Sequence, residues 1–131
     1  MYINNQKQLV KAWAKTLQKT DWDLFSTITY RYDINPKQNQ SIMMRLKDYL
    51  LSLKLKFKVF WVMEHNIRGV STHNHLLIKG ERVEQEVEYH LRSKGLITDH
   101  VKHLPYEKEA SIYVAKYLYD PESQYDIIES K

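Results

Sequence analysis

The chain of 131 residues has no cysteine and only three glycines and three prolines. Missing thiols exclude a disulfide framework and any thiolate metal site, so a bound metal must be held by nitrogen and oxygen. With so little Gly and Pro, no linker or low-complexity tract divides the sequence, and no internal repeat is present. One domain over residues 1–131 is expected, with a flexible charged tail after about residue 120. No apolar core follows Met1, and no run approaches the roughly 18 apolar residues of a membrane span. A soluble cytoplasmic protein without a membrane partner is the expectation. Neither sign of charge dominates: 20 Lys+Arg against 16 Asp+Glu give +4, which suits a polyanionic partner without requiring one.

Hydrophobic periodicity supplies the elements. Leu9, Val10, Trp13 and Leu17 recur at helical spacing within Asn4 to Lys19, and Phe25 to Tyr32 is a β-branched and aromatic strand ending at a turn-prone stretch. Pro36 can open a helix whose apolar face carries Ile42, Met43, Leu46, Tyr49, Leu50 and Leu53. Side chains alternate from Lys54 to Glu64, and a turn at Arg68-Gly69 leads to a second strand from Thr72 to Lys79, making a hairpin. A short helix with Val83, Val87 and Leu91, a short strand from His100 to Leu104, and a last helix after Pro105 complete the reading. The class is α+β, an antiparallel sheet with helices packed mainly on one face.

Two pairs carry chemistry. His73 and His75 are two apart in a strand, so they share a face at about 6.5–7 Å and can bind one ion. Glu64 joins them on that face if the hairpin closes with an even-numbered loop; an odd loop turns it away, and His65 is the weaker third candidate. Two imidazoles and a carboxylate suit Mg²⁺ or Mn²⁺ activating a phosphoryl oxygen, and zinc or another transition metal can also bind such a set. His90, His100 and His103 lack ligand spacing and are expected to face solvent.

Downstream, Tyr113 and Tyr117 stand four apart on the last helix, so their hydroxyls reach one region, with Lys116 flanking them. A phenol is a poor nucleophile near neutral pH, but a polarised phosphate and a nearby ammonium lower the barrier to its attack. Taken alone, either pair is compatible with ordinary packing. Their combination points to metal-assisted attack on a DNA phosphodiester.

These segments together resemble the HUH endonucleases of the rolling-circle replication initiator (Rep) type. Phe25-Ser26-Thr27-Ile28-Thr29-Tyr30 is similar to the first motif of that family, a Thr-rich strand. Thr72-His73-Asn74-His75-Leu76-Leu77-Ile78 resembles the metal-binding second, and Tyr113-Val114-Ala115-Lys116-Tyr117 the third. The order matches initiators, since relaxases of the same superfamily place the tyrosine ahead of the histidines. The resemblance covers Phe25 to Tyr117 and implies a ferredoxin-like sheet, His73 and His75 as metal ligands with Glu64 as the third, and Tyr113 as nucleophile on single-stranded DNA. It further implies a 5′-phosphotyrosine and a free 3′-hydroxyl that primes synthesis, at a plasmid or phage replication origin. Tyr117 takes part in termination if two tyrosines act, or only packs if one does. Duplex unwinding and synthesis would come from a host helicase and polymerase. Asn74 departs from the family, where the residue between the histidines is usually bulky and apolar; it lies on the core-side face and needs a hydrogen-bond partner.

Lys54, Lys56 and Lys58 share a strand face with Glu64 in this reading, a basic track for phosphates, with Arg68 as a further contact. Two other functions fit the same residues. A single-strand DNA transposase of the superfamily also places its tyrosine after the histidines, although paired tyrosines favour the initiator. A non-catalytic nucleic-acid-binding module shares the sheet architecture, although no Lys/Arg-Gly-Phe signature is present.

Overall fold

Nine elements follow one another as α1 (Tyr2–Leu17), β1 (Leu24–Tyr30), α2 (Pro36–Ser52), β2 (Lys58–Glu64), β3 (His73–Lys79), α3 (Val83–Ser93), β4 (Ile97–Pro105), α4 (Lys108–Tyr117) and β5 (Tyr125–Glu129). The structure is a computed structural model that describes residues 2–64, 72–118 and 124–131, without the side chains of residues 2–6 and 98–100. Local chemistry explains the boundaries. Asn35 caps α2 in a capping box with Gln38, and Pro36 occupies the first turn, where no donor is lost. α1 ends where the Trp22 indole donates to the carbonyl of Leu17 at 2.8 Å. Gly80 closes β3 at φ +130°, with its amide donating to Asp23; a Cβ there would lie 2.5 Å from the carbonyl oxygen of Lys56.

The five strands form one antiparallel sheet in the order β4-β1-β3-β2-β5. Within it, β1-α2-β2-β3-α3-β4 is the ferredoxin-like βαββαβ unit, so the α+β class expected from the sequence is the one observed. Strand alternation divides the apolar residues between two cores. Ile28, Val59, Trp61, Leu76 and Ile78 meet Met43, Leu46 and Leu50 of α2 and Val87 and Leu91 of α3 on one face. Phe60, Val62 and Leu77 meet Leu17 of α1 and Ala110 and Val114 of α4 on the other. Full burial of each such side chain contributes about 1.5–3 kcal/mol, so both layers matter to the fold.

Four expectations are corrected. Helices cover both faces rather than mainly one, because α1 and α4 pack together over the second face. The tail is not frayed throughout: β5 pairs with β2 from Val62↔Tyr125 to Lys58↔Glu129 and buries Ile128. β2 begins at Lys58, because the chain leaves α2 through a turn with Lys54 at φ 58°. Lys54 and Lys56 therefore precede the strand, and the three lysines share no strand face. Lastly, His90 is buried and stacked on Tyr49 at 4.7 Å, while His103 bridges Ser26 and Glu88, so neither simply faces solvent. The side chain of His100 lies outside the described residues, as do His65 and Arg68.

Candidate active site

β3 lies between β1 and β2, and this position builds the site. Register pairs Glu64 with His73 and Val62 with His75 on one side, and Thr29 with His73 and Thr27 with His75 on the other. Directly paired residues point to the same face, so Glu64, His73, His75, Thr27 and Thr29 all project toward the α4 side. The even-numbered loop places Glu64 there, as the sequence required for a shared site.

Each histidine is held from behind. Thr29 Oγ1 lies 2.8 Å from His73 Nδ1, and Thr27 Oγ1 lies 3.1 Å from His75 Nδ1. With both Nδ1 atoms engaged, the Nε2 atoms are the ones left for other partners. At His75 that partner is Glu64, with Nε2 2.9 Å from Oε2. Burial pushes the His75 pKa down; the bond to Glu64 and its charge oppose this, and His73 adds to the lowering.

Among the described residues, no three His, Cys, Asp or Glu side chains gather about one point as an assembled metal centre. The donors nevertheless fit a divalent cation. A threonine hydroxyl both donates and accepts, so Thr27 can support the tautomer that donates Nε2–H to Glu64 and also the one that offers the Nε2 lone pair to a metal. Glu64, His73 and His75 would hold the ion, with the Glu64 oxygen turning from His75 toward it. Mg²⁺ and Mn²⁺ accept such oxygen and imidazole donors.

α4 brings the tyrosines over the same face. Ala110 and Val114 are buried against the sheet, Ser111 bonds the Tyr106 hydroxyl at 2.6 Å, and Tyr106 N–H donates to Asp23 at the start of β1. One turn on, the Tyr117 ring stacks on His75 at 4.9 Å, and the Tyr113 ring meets His75 edge-on at 5.3 Å. The Tyr117 hydroxyl lies 3.1 Å from Glu64 Oε1 and 3.0 Å from the Tyr113 hydroxyl. Burial raises the Tyr117 pKa, and the Tyr113 bond and the Glu64 charge reinforce the rise. Tyr113 is 41% exposed, so it is the more accessible phenol. Lys116 is exposed on the same helix.

The structure thus gathers Glu64, His73, His75, Tyr113 and Tyr117. It does not gather the lysines: Lys58 alone shares the strand face of Glu64, at the far end of β2, where its ammonium bonds Thr20 and lies over Trp22. Thr27, Thr29 and Phe25 were missed as site residues. The signal existed, since a Thr-x-Thr strand has the same two-residue spacing as His-x-His, but only the pairing of β1 with β3 makes them neighbours. Phe25 lies 5.7 Å from Tyr113 and 6.0 Å from His75, ring to ring.

A ferredoxin-like sheet with a histidine pair on one central strand and helix-borne tyrosines stacked above it defines a class of compact α+β protein with a polar site on one sheet face. The model of a replication-associated protein family, that of the ORF2 type, matches residues 23–122 of the 131, from just before β1 to beyond α4. The chain belongs to this family and is a replication-associated protein of the Rep type, whose partner is DNA. No curated protein and no solved structure matches it significantly. No helix among the described residues is long and apolar enough to cross a membrane.

Proposed function

We propose that this chain initiates rolling-circle DNA replication as an HUH-type endonuclease, nicking and rejoining single-stranded DNA at an origin with Tyr113 as the nucleophile. One observation carries the reading: the two histidines, oriented from behind by threonines, stand beneath the rings of Tyr113 and Tyr117. Phosphate chemistry and a phenol nucleophile are therefore within one side-chain layer. Glu64, His73 and His75 would hold Mg²⁺ or Mn²⁺, which when bound supplies charge to polarise a phosphoryl oxygen.

The Tyr113 oxygen attacks the scissile phosphorus, a P–O(Tyr) bond forms, and the P–O3′ bond breaks. Its phenol proton has a route to the Tyr117 oxygen, 3.0 Å away, and from Tyr117 to Glu64. The departing 3′ oxygen takes up a proton from solvent. One phosphate ester replaces another, so the 5′-phosphotyrosine keeps the bond energy and the strand can be resealed without ATP. The free 3′-hydroxyl serves a host polymerase, with a host helicase opening the duplex. Exposure favours Tyr113 for this first step, whereas the raised pKa of Tyr117 suits it to a hydroxyl that relays protons or acts second.

The test incubates the protein with single-stranded circular DNA and Mn²⁺ or Mg²⁺, then looks for a covalent adduct under denaturing conditions. The wild-type chain and Tyr117→Phe are expected to form it, and Tyr113→Phe and His75→Ala are not. An adduct that survives Tyr113→Phe but not Tyr117→Phe reverses the nucleophile assignment. Absence of any adduct rejects the enzymatic reading in favour of a DNA-binding module.

A further inference from the structure

Beside Tyr113 lies a hollow of about 430 Å³ that the chemistry above does not use. Its floor is Phe25 and Leu104, directly paired across β1 and β4, and its wall is Ala110 and Tyr113 of α4. Leu104 and Tyr113 are each 41% exposed, although the neighbouring positions Ala110 and Val114 of α4 are buried. The volume falls within the roughly 300–1,000 Å³ usual for small-ligand pockets. Glu107 and Glu109, both exposed, stand on its rim.

A strand whose phosphate reaches the Tyr113 hydroxyl must lodge its neighbouring nucleotide close by. Two carboxylates on the rim repel a phosphate, so the sugar-phosphate backbone is not the group that fits. A nucleobase does fit. Its face is apolar and can stack on an aromatic ring such as Phe25, and its exocyclic amino group donates to a carboxylate. We infer that this pocket receives the base flanking the phosphate attacked by Tyr113, and that it selects a base bearing an exocyclic amino group, cytosine over thymine. The inference rests on the reading that Tyr113 meets a DNA strand. Acidic residues in the first turn of α4 also complement the helix dipole, which accounts for the charges but not for the adjoining exposed apolar floor.

The test is a methyl NMR titration of the full chain with tetramers of deoxycytidine and of thymidine, in EDTA and low salt so that no cleavage intervenes. Shifts are expected at the Leu104 and Ala110 methyls, with apparent affinity roughly tenfold higher for the cytidine tetramer, toward the low end of what a good base-edge contact contributes. The double variant Glu107→Gln, Glu109→Gln is expected to reduce the preference to within about twofold, because an amide also donates to thymine O4. Leu104→Trp, which fills the hollow, should remove the Ala110 shift for both tetramers. Equal affinity for the two tetramers, silent pocket methyls, or a preference unchanged by the double substitution on the rim would each overturn the inference. Cytidine preference without any covalent adduct would keep the pocket and reject the nicking chemistry; an adduct without the preference would do the reverse.

Discussion

The hydroxyl of Thr29 on β1 stands 2.8 Å from Nδ1 of His73 on β3, and Thr27 repeats the relation with His75 at 3.1 Å. Partners behind a ligating histidine fix its ring and its tautomer, and their loss typically costs about 10–100-fold in metal affinity. Thr27→Val with Thr29→Val should therefore weaken Mn²⁺ binding by about that factor in calorimetric titration. Thr→Ser at both positions restores the hydroxyls and should restore most of the affinity. Equal Mn²⁺ affinity for the doubly Val-substituted chain and the wild type would remove the threonines from the site.

Asn74 solves its burial through a closed network on the other face of β3. Its amide nitrogen donates to Tyr30 Oη at 3.0 Å and to Asn39 Oδ1 at 2.8 Å, and its oxygen accepts from Asn39 Nδ2 at 3.1 Å. Desolvation pushes the Tyr30 pKa up, opposed by the Asn74 bond, so its phenol stays protonated and donates to Asn39. Asn74→Leu strands Asn39 and should cost about 1–3 kcal/mol in urea unfolding. Adding Asn39→Leu should recover part of that loss, since removing both partners is less costly than orphaning one.

The last strand can be checked with two adjacent isoleucines. Ile128 is 2% exposed and joins the larger core, whereas Ile127 is 38% exposed. Ile128→Ala should destabilise the protein by about 2–5 kcal/mol. Ile127→Ala, on the open face of β5, should stay within about 0.5 kcal/mol. Similar small losses for both would show that β5 contributes little to the fold.

Burial lowers the pKa of His90, and Lys94 adds in the same direction. The unfolded chain takes up its imidazole proton near pH 6.5, while the folded protein resists until lower pH. As pH falls through this window the unfolded state binds more protons, so stability must fall with it. His75 shifts the same way, so it should add to the slope. The urea midpoint should drop between about pH 7.5 and pH 5.5, and drop less in His90→Phe, which keeps a ring against Tyr49. An identical pH slope in the variant would remove His90 as a contributor.

Much of this arrangement was legible from residues alone. The period-two alternation of β2 predicts Glu64 opposite the histidine pair, and the even-numbered loop makes it so. Pro36 and the apolar spacing predict α2 within a residue. The unread parts have a common cause. β5 buries only Ile128 and is flanked by charge, so its pattern is too short to stand out, and an edge strand draws most of its stability from its neighbour. Lys54 looked like a continuation of strand alternation because a single residue with positive φ leaves no trace in hydrophobic pattern. His90 and His103 looked exposed because their partners, Tyr49, Ser26 and Glu88, are distant or patternless in sequence.

Residue order by itself determined where helices and strands begin, which side chains share a strand face, and that two phenols lie one helical turn apart, because these are local consequences of backbone periodicity. Tertiary structure alone decided that β3 lies between β1 and β2, that Thr27 and Thr29 stand behind the histidines, and that α4 crosses the same face to set Tyr117 on His75. Strand neighbours and helix docking depend on how distant apolar surfaces close over one another, and that long-range fit is not encoded in any local repeat.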